Sequence, residues 1–264
     1  MNMSKDFKDK VVVITGASSG IGECTAILFA QHGANVVLCG RDEGRLSSAL
    51  QKCQEKSVGN ADKFLIIQGD LSDSSVRQKI IQQTVDKFGR LDILVPNAGI
   101  ILEESSIARA TEDAFDQIMN VNVKAVFFLI KEAIPHLEKT KGCIVNVSST
   151  GSTLVYPDEI IYSMSKAALD HMTRTFALGL APKGIRVNAI NPTLVKTNVY
   201  RSYNAEGVAT FMEDYGRLHP LHGRNSTCEE QANVILFLAS SDANFVTGEC
   251  IKVDGGITLR GASN

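Results

Sequence analysis

Five residues, Val11-Val-Val-Ile-Thr15, followed at once by Gly16-Ala-Ser-Ser-Gly20-Ile-Gly22, restrict the possible folds of this chain more than any other stretch. A short β-branched run reads as a strand buried on both faces, and such strands belong to parallel sheets covered by helices. The covering helix starts without a linker: the residues from Gly20 to Gly33 carry apolar side chains at helical spacing and stop at a glycine. Between strand and helix, free backbone N–H groups and a positive helix end are presented to an anion. Gly16 permits the tight turn, Gly20 lets the backbone approach a phosphate, and Gly22 lets the helix lie close to the strand. With the hydroxyls of Ser18 and Ser19 and the intervening Ile21, these residues are the candidate pyrophosphate cradle.

The strand–helix alternation then repeats. Buried strands are expected within 35–40, 63–69, 91–96, 141–148, 184–191 and 248–254, and helices within 43–56, 72–88, 113–137, 162–180 and 227–239. Such a pattern predicts an α/β fold with a single doubly wound parallel sheet of about seven strands, helices on both faces and ligands at the carboxyl ends of the strands. The 264 residues show no linker composition and no internal repeat, so residues 1–264 are expected to form one nucleotide-binding domain. The segment at about 194–223 has weak periodicity and several aromatic residues, and is expected to be an irregular substrate lid.

Composition excludes several classes of function. With 27 basic against 29 acidic residues, the chain has no general attraction for nucleic acid or for an anionic membrane. No apolar run approaches the ~18 residues needed to cross a bilayer, and the polar opening MNMSKDFKDK is not expected to act as a signal peptide. The six cysteines form no C-x-x-C pair and read as core residues of a reducing, cytoplasmic compartment. His219 and His222 lack partners at ligand spacing, so no metal site is expected, and that segment reads as an ordinary polar loop.

Chemistry is concentrated at Tyr162-Ser-Met-Ser-Lys166. On a helix the phenol and the ammonium, four residues apart, share one face, and a nearby ammonium favours the phenolate, bringing its proton transfer toward neutral pH. Ser149 ends a strand at the same sheet edge, as do Asn97, Ala98 and Gly99. Asn122 is a poor interior helix residue and needs a buried partner. At the end of the second strand Gly40 stands where an NAD site usually has a carboxylate, and Arg41 follows, suited to the 2′-phosphate of NADP. NADP(H) is therefore expected over NAD(H), with Asp42 either facing the ribose or capping the next helix.

Together, Thr15-Gly-x-x-x-Gly20-x-Gly22, Asn97-Ala98-Gly99, Asn122, Ser149, Tyr162-x-x-x-Lys166, Asn191-Pro192 with Thr197, and Val253-Asp254-Gly255-Gly256 make the chain resemble the short-chain dehydrogenase/reductase family from Lys10 to about Leu259. The resemblance implies that Tyr162 is the general acid or base, that Ser149 polarises the substrate oxygen, that Lys166 binds the nicotinamide ribose and lowers the Tyr162 pKa, and that Asn122 holds a relay water. It further implies that Asp70 and Leu71 flank the adenine, and that Pro192, Val195 and Thr197 meet the nicotinamide end. Pro96 and Thr193 depart from the family pattern. Thr193 is expected to crowd the nicotinamide pocket or to reshape the substrate mouth.

The expected activity is NADP(H)-dependent interconversion of a ketone and a secondary alcohol on a small to medium lipophilic molecule. The alternatives are an NAD-dependent alcohol or steroid-type dehydrogenase, a 3-oxoacyl-thioester reductase, a lyase or epimerase on the same fold, and a non-enzymatic nucleotide-binding scaffold. A homotetramer is expected, supported by the family habit and by Val123, Val126, Phe127 and Ile130 on one helix face.

Overall fold

The computed structural model describes residues 7–57, 61–200 and 203–260. Strand β1 (Val11–Thr15) is fully enclosed because its branched side chains alternate between two layers. Val12 and Ile14 enter one core cluster, Val11 and Val13 the other, and all four are 0% exposed. Around it lie β2 (Asn35–Gly40), β3 (Phe64–Gln68), β4 (Ile93–Val95), β5 (Cys143–Val147), β6 (Arg186–Pro192) and β7 (Cys250–Val253), in the order β3-β2-β1-β4-β5-β6-β7. Every pairing is parallel. Helices α1 (Gly20–Gln31), α2 (Glu43–Lys56) and α8 (Cys228–Ala239) supply the first core cluster, and α3 (Ser74–Phe88), α5 (Ala125–Thr140) and α6 (Ile160–Leu180) the second.

The strand order reverses between β1 and β4, which opens a crevice at their carboxyl ends. A polar clamp holds that crevice. Thr15 Oγ1 accepts from the N–H groups of Asn97 and Ala98, both at 3.0 Å, while Asn97 Nδ2 donates to the carbonyls of Thr15 (2.8 Å) and Gly16 (3.2 Å). Pro96 lacks an N–H, yet its carbonyl still accepts from Val147 N at 3.0 Å, so β4 and β5 stay joined there.

Three expectations are corrected. The helix expected over 113–137 is two helices, α4 (Glu112–Met119) and α5, joined by a π-turn at Asn120–Lys124. The extra residue in that turn accompanies an inward Asn122, whose amide binds Ile100 at both ends. The segment expected to be irregular contains α7 (Ala205–Arg217), begun by Asn204, whose side chain accepts from Glu206 N at 3.0 Å. Gly207 and Gly216 interrupt the helical signal there, whereas Val208, Phe211, Met212 and Tyr215 keep an apolar stripe. Residues 201–202 of that segment lie outside the described residues. Finally, Val126 (4% exposed) and Ile130 (0%) of the supposed docking face are core residues. The apolar surface of α5 is Phe127 and Phe128, beside Phe176.

Among the described residues no helix is long and apolar enough to cross a membrane, and no group of His, Cys, Asp and Glu could hold a metal ion.

Candidate active site

One cleft runs along the sheet edge from the glycine turn to Tyr162, and every candidate cofactor residue except Gly22 lines it. Gly22 lies behind the turn, where a Cβ would stand 2.4 Å from Gly16 O and 2.4 Å from Asn97 Nδ2. Gly16 and Gly20 have φ of +66° and +61°, the left-handed region that favours glycine. Thr197 sits directly over Gly20, its Cγ2 2.8 Å from where a Cβ would be. A turn without side chains, at the head of a helix and roofed by Thr197, fits a pyrophosphate, so the residues present suit a dinucleotide. Such a cofactor supplies a hydride; the protein must place the acceptor and handle the proton.

At the adenosine end Asp42 is the N-cap of α2, accepting from Arg45 N at 2.9 Å and pairing with Arg45 Nε at 3.1 Å. This resolves its two expected roles in favour of the cap. Arg41 makes a long contact, 3.5 Å, with Asp70. Burial alone would raise the Asp70 carboxyl, but hydrogen bonds from Ser72 and the charge of Arg41 hold it below its ordinary value. Arg45 lines the same end of the cleft, a second guanidinium that the sequence reading overlooked. Its signal was available, since it stands four residues after Arg41 at the head of an expected helix.

At the other end Ser149, just past β5, accepts from Gly151 N at 3.0 Å, which fixes its hydroxyl toward α6. There it converges with the Tyr162 ring, the two lying 3.3 and 3.8 Å from where a Cβ on Gly151 would stand. The Tyr162 backbone N–H donates to the buried Ser105 Oγ at 3.0 Å, anchoring the first turn of α6. Lys166, 4% exposed, donates from Nζ to Val147 O at 2.9 Å and lies 5.6 Å from the Tyr162 ring centroid. Asn191 ties this assembly down: its Nδ2 donates to Ser149 O (3.1 Å), Ser152 Oγ (2.8 Å) and Asp170 Oδ2 (2.8 Å).

Electrostatics here differ from expectation. Burial raises the Tyr162 phenol above its ordinary value, with Glu159 adding and the Ser149 hydroxyl opposing, so the expected lowering by Lys166 is overturned in this structure. The Lys166 ammonium is instead pushed down to about 8 by burial, with Asp170 opposing. A protonated phenol beside a serine hydroxyl is the state that can hand a proton to an oxygen gaining negative charge. Asn122 does not line the cleft. Its Oδ1 accepts from Ile100 N (2.9 Å), and its Nδ2 donates to Ile100 O (2.9 Å) and Ser165 Oγ (3.0 Å), so its side-chain amide positions backbone and keeps one acceptor site on Oδ1.

Thr193 lines the cleft, and its hydroxyl is engaged. Its hydroxyl lies 2.7 Å from Nε2 of His219, a residue 3% exposed, and this contact ties the end of β6 to the segment after α7. The expectation of an ordinary polar loop at His219 is thereby corrected. Glu159, one turn before Tyr162, also lines the cleft and was missed. Burial raises its carboxyl to about 7, with Asp158 adding and the Tyr200 phenol opposing.

A glycine turn for a dinucleotide and a Ser–Tyr–Lys group at the same sheet edge define a dinucleotide-binding α/β enzyme equipped to protonate an oxygen. Comparison with known proteins agrees. The family model described as Enoyl-(Acyl carrier protein) reductase matches residues 16–258. The chain is 37% identical over 251 residues to a 3-oxoacyl-[acyl-carrier-protein] reductase of Thermotoga maritima, covering 95% of this chain and 98% of that one. It is 37% identical over 254 residues to a meso-2,3-butanediol dehydrogenase of Serratia marcescens, covering 96% of each. Among solved structures it is similar to a 3-ketoacyl-(acyl-carrier-protein) reductase from Brucella melitensis complexed with NADH, with a TM-score of 0.86, 31% identity and coverage of 96% of this chain and 99% of that one. This chain belongs to the short-chain dehydrogenase/reductase family. It is an oxidoreductase acting on alcohol and ketone groups.

Proposed function

We propose that the protein reduces a small to medium lipophilic ketone, or oxidises the matching secondary alcohol, using NADP(H) and Tyr162 as the acid or base. The observation that carries this reading is the convergence of Ser149, Tyr162 and Lys166 at the far end of a cleft that starts at the glycine turn. Lys166, held on Val147 O, would grip the cofactor's ribose. The lipophilic substrate is inferred from walls made by Ile100, Leu194, Phe211 and Tyr215, with residues 194–223 acting as a lid over one domain. Reduction of a 3-oxoacyl thioester is the second reading, since one relative above carries that name.

NADP(H) over NAD(H) rests on Gly40, on Asp42 being engaged as a cap, and on Arg41 and Arg45 at the adenosine end. NADPH should bind about tenfold tighter than NADH, and Arg41→Ala should abolish the difference, because a charge-assisted contact to phosphate contributes roughly 1.5–3 kcal/mol. Fluorescence titration of both nucleotides decides it, and equal affinities in the unaltered protein would reject the preference.

We also propose a cytoplasmic homotetramer. The exposed Phe127 and Phe128 of α5 support the assembly, and the buried thiols of Cys39, Cys53 and Cys143 suit a reducing compartment.

A further inference from the structure

Four of the chain's five tyrosines, Tyr156, Tyr162, Tyr200 and Tyr215, line the end of the cleft beyond Ser149. The fifth, Tyr203, packs edge-on against Tyr200 with ring centroids 5.6 Å apart and donates to Leu102 O at 3.0 Å. Tyr156 and Tyr215 are already paired with each other, oxygen to oxygen at 2.6 Å. Within this ring of phenols stands one acid, Glu159. The Tyr200 phenol favours its ionised form, and its charge is felt at Tyr156, Tyr162, Tyr200 and Tyr203. Among the described residues no lysine or arginine forms an ion pair with it.

Above about pH 7, where it is ionised, Glu159 offers about four acceptor positions, and one neighbouring phenol leaves it with capacity facing the cleft. An apolar group placed against it would strip its water and give no hydrogen bond in return. An anionic group would meet like charge. Only a hydrogen-bond donor on the substrate satisfies it, and sites built around a buried polar group discriminate strongly against analogues that lack the matching one.

We infer that Glu159 selects the substrate, receiving a hydroxyl carried next to the reacting carbonyl, so that the preferred substrate is a neutral hydroxy-ketone or, in the reverse direction, a vicinal diol. The inference rests on the oxidoreductase reading above and narrows it: the body of the substrate is apolar, the group beside the carbonyl is a donor, and oxo acids are refused.

The test uses three ketones of one shape, 2-hydroxyacetophenone, acetophenone and benzoylformate, with NADPH and the full-length protein, at a pH well above the raised Glu159 carboxyl so that it is ionised. The hydroxy-ketone should exceed acetophenone in kcat/KM by roughly tenfold or more, and benzoylformate should be the poorest. Glu159→Ala should bring the first ratio close to one. Glu159→Gln, which keeps an acceptor and loses the charge, should retain part of the hydroxyl preference and relax the rejection of benzoylformate. NADPH affinity, read by fluorescence, checks that each variant is folded. An unchanged hydroxyl preference in Glu159→Ala, or none in the unaltered protein, overturns the inference and leaves Glu159 as the partner of Tyr200 alone. Should no ketone be reduced, the oxidoreductase reading falls. Quenching of bound NADPH by the same three ketones then still decides about Glu159, through the presence or absence of a hydroxyl preference that the alanine variant loses.

Discussion

Tyr162→Phe is expected to lower turnover by about 10²-fold or more, because positioned proton transfer contributes on that scale, while NADPH binding survives. The change removes one oxygen. Lys166 keeps its own anchor on Val147 O at 2.9 Å, and the first turn of α6 keeps its bond from the Tyr162 backbone to Ser105 Oγ at 3.0 Å, so the cofactor end has no reason to move. The partner left behind is the Ser149 hydroxyl, which still accepts from Gly151 N. The loss should therefore fall on kcat, with little effect on nucleotide affinity. Steady-state kinetics on the best ketone, together with a fluorescence titration of NADPH, separate the two. A variant that keeps full turnover would remove Tyr162 from the chemistry.

The second large effect is expected behind the glycine turn. In Gly22→Ala the new Cβ would meet Gly16 O and Asn97 Nδ2 at 2.4 Å each, and the first of these is backbone that forms the turn itself. Relief requires α1 to move off β1 or the Asn97 clamp to break, and forced overpacking of this kind costs about 1–3 kcal/mol. NADPH affinity should fall by about tenfold, since a shift in the turn costing near 1.4 kcal/mol of binding is a factor of ten. Gly179→Ala in α6 is the control, because nothing lies within 4 Å of its Cβ position and alanine is the better helix former by about 1 kcal/mol. Thermal unfolding and nucleotide titration of both variants check this. Equal behaviour of the two would mean that the turn has slack that the geometry does not show.

How much could be read from the sequence depended on whether a signal was local. The strands and the glycine turn were legible because burial on both faces forces continuous apolar runs, and α2 is found at the expected Glu43–Lys56 because Asp42 caps it. Ser149, Tyr162 and Lys166 came together as expected since the parallel register brings every strand end to one edge. What escaped was set by tertiary contacts. The π-turn at Asn122 depends on the Ile100 backbone, 22 residues away, and no periodicity reports it. The raised Tyr162 phenol reflects burial, which overrides the neighbouring ammonium that spacing alone brought into view. Thr193 was read as crowding the nicotinamide pocket or reshaping the substrate mouth, and its contact with His219 at 2.7 Å, 26 residues away, left no local signal. Glu159 was a charged residue in a loop until the phenols of distant segments closed around it.

Transfer of the hydride itself gives the most direct test of whether this sheet edge is a reducing site. NADPH labelled with deuterium on the reactive face of its nicotinamide is incubated with the protein and a ketone that it consumes, and the alcohol is analysed by mass spectrometry. One deuterium at the carbinol carbon is predicted for the unaltered protein, formed at least about 10²-fold more slowly by Tyr162→Phe. NADPH that binds tightly yet leaves no deuterium on any carbonyl of a broad panel would contradict the assignment of Ser149, Tyr162 and Lys166 to carbonyl reduction.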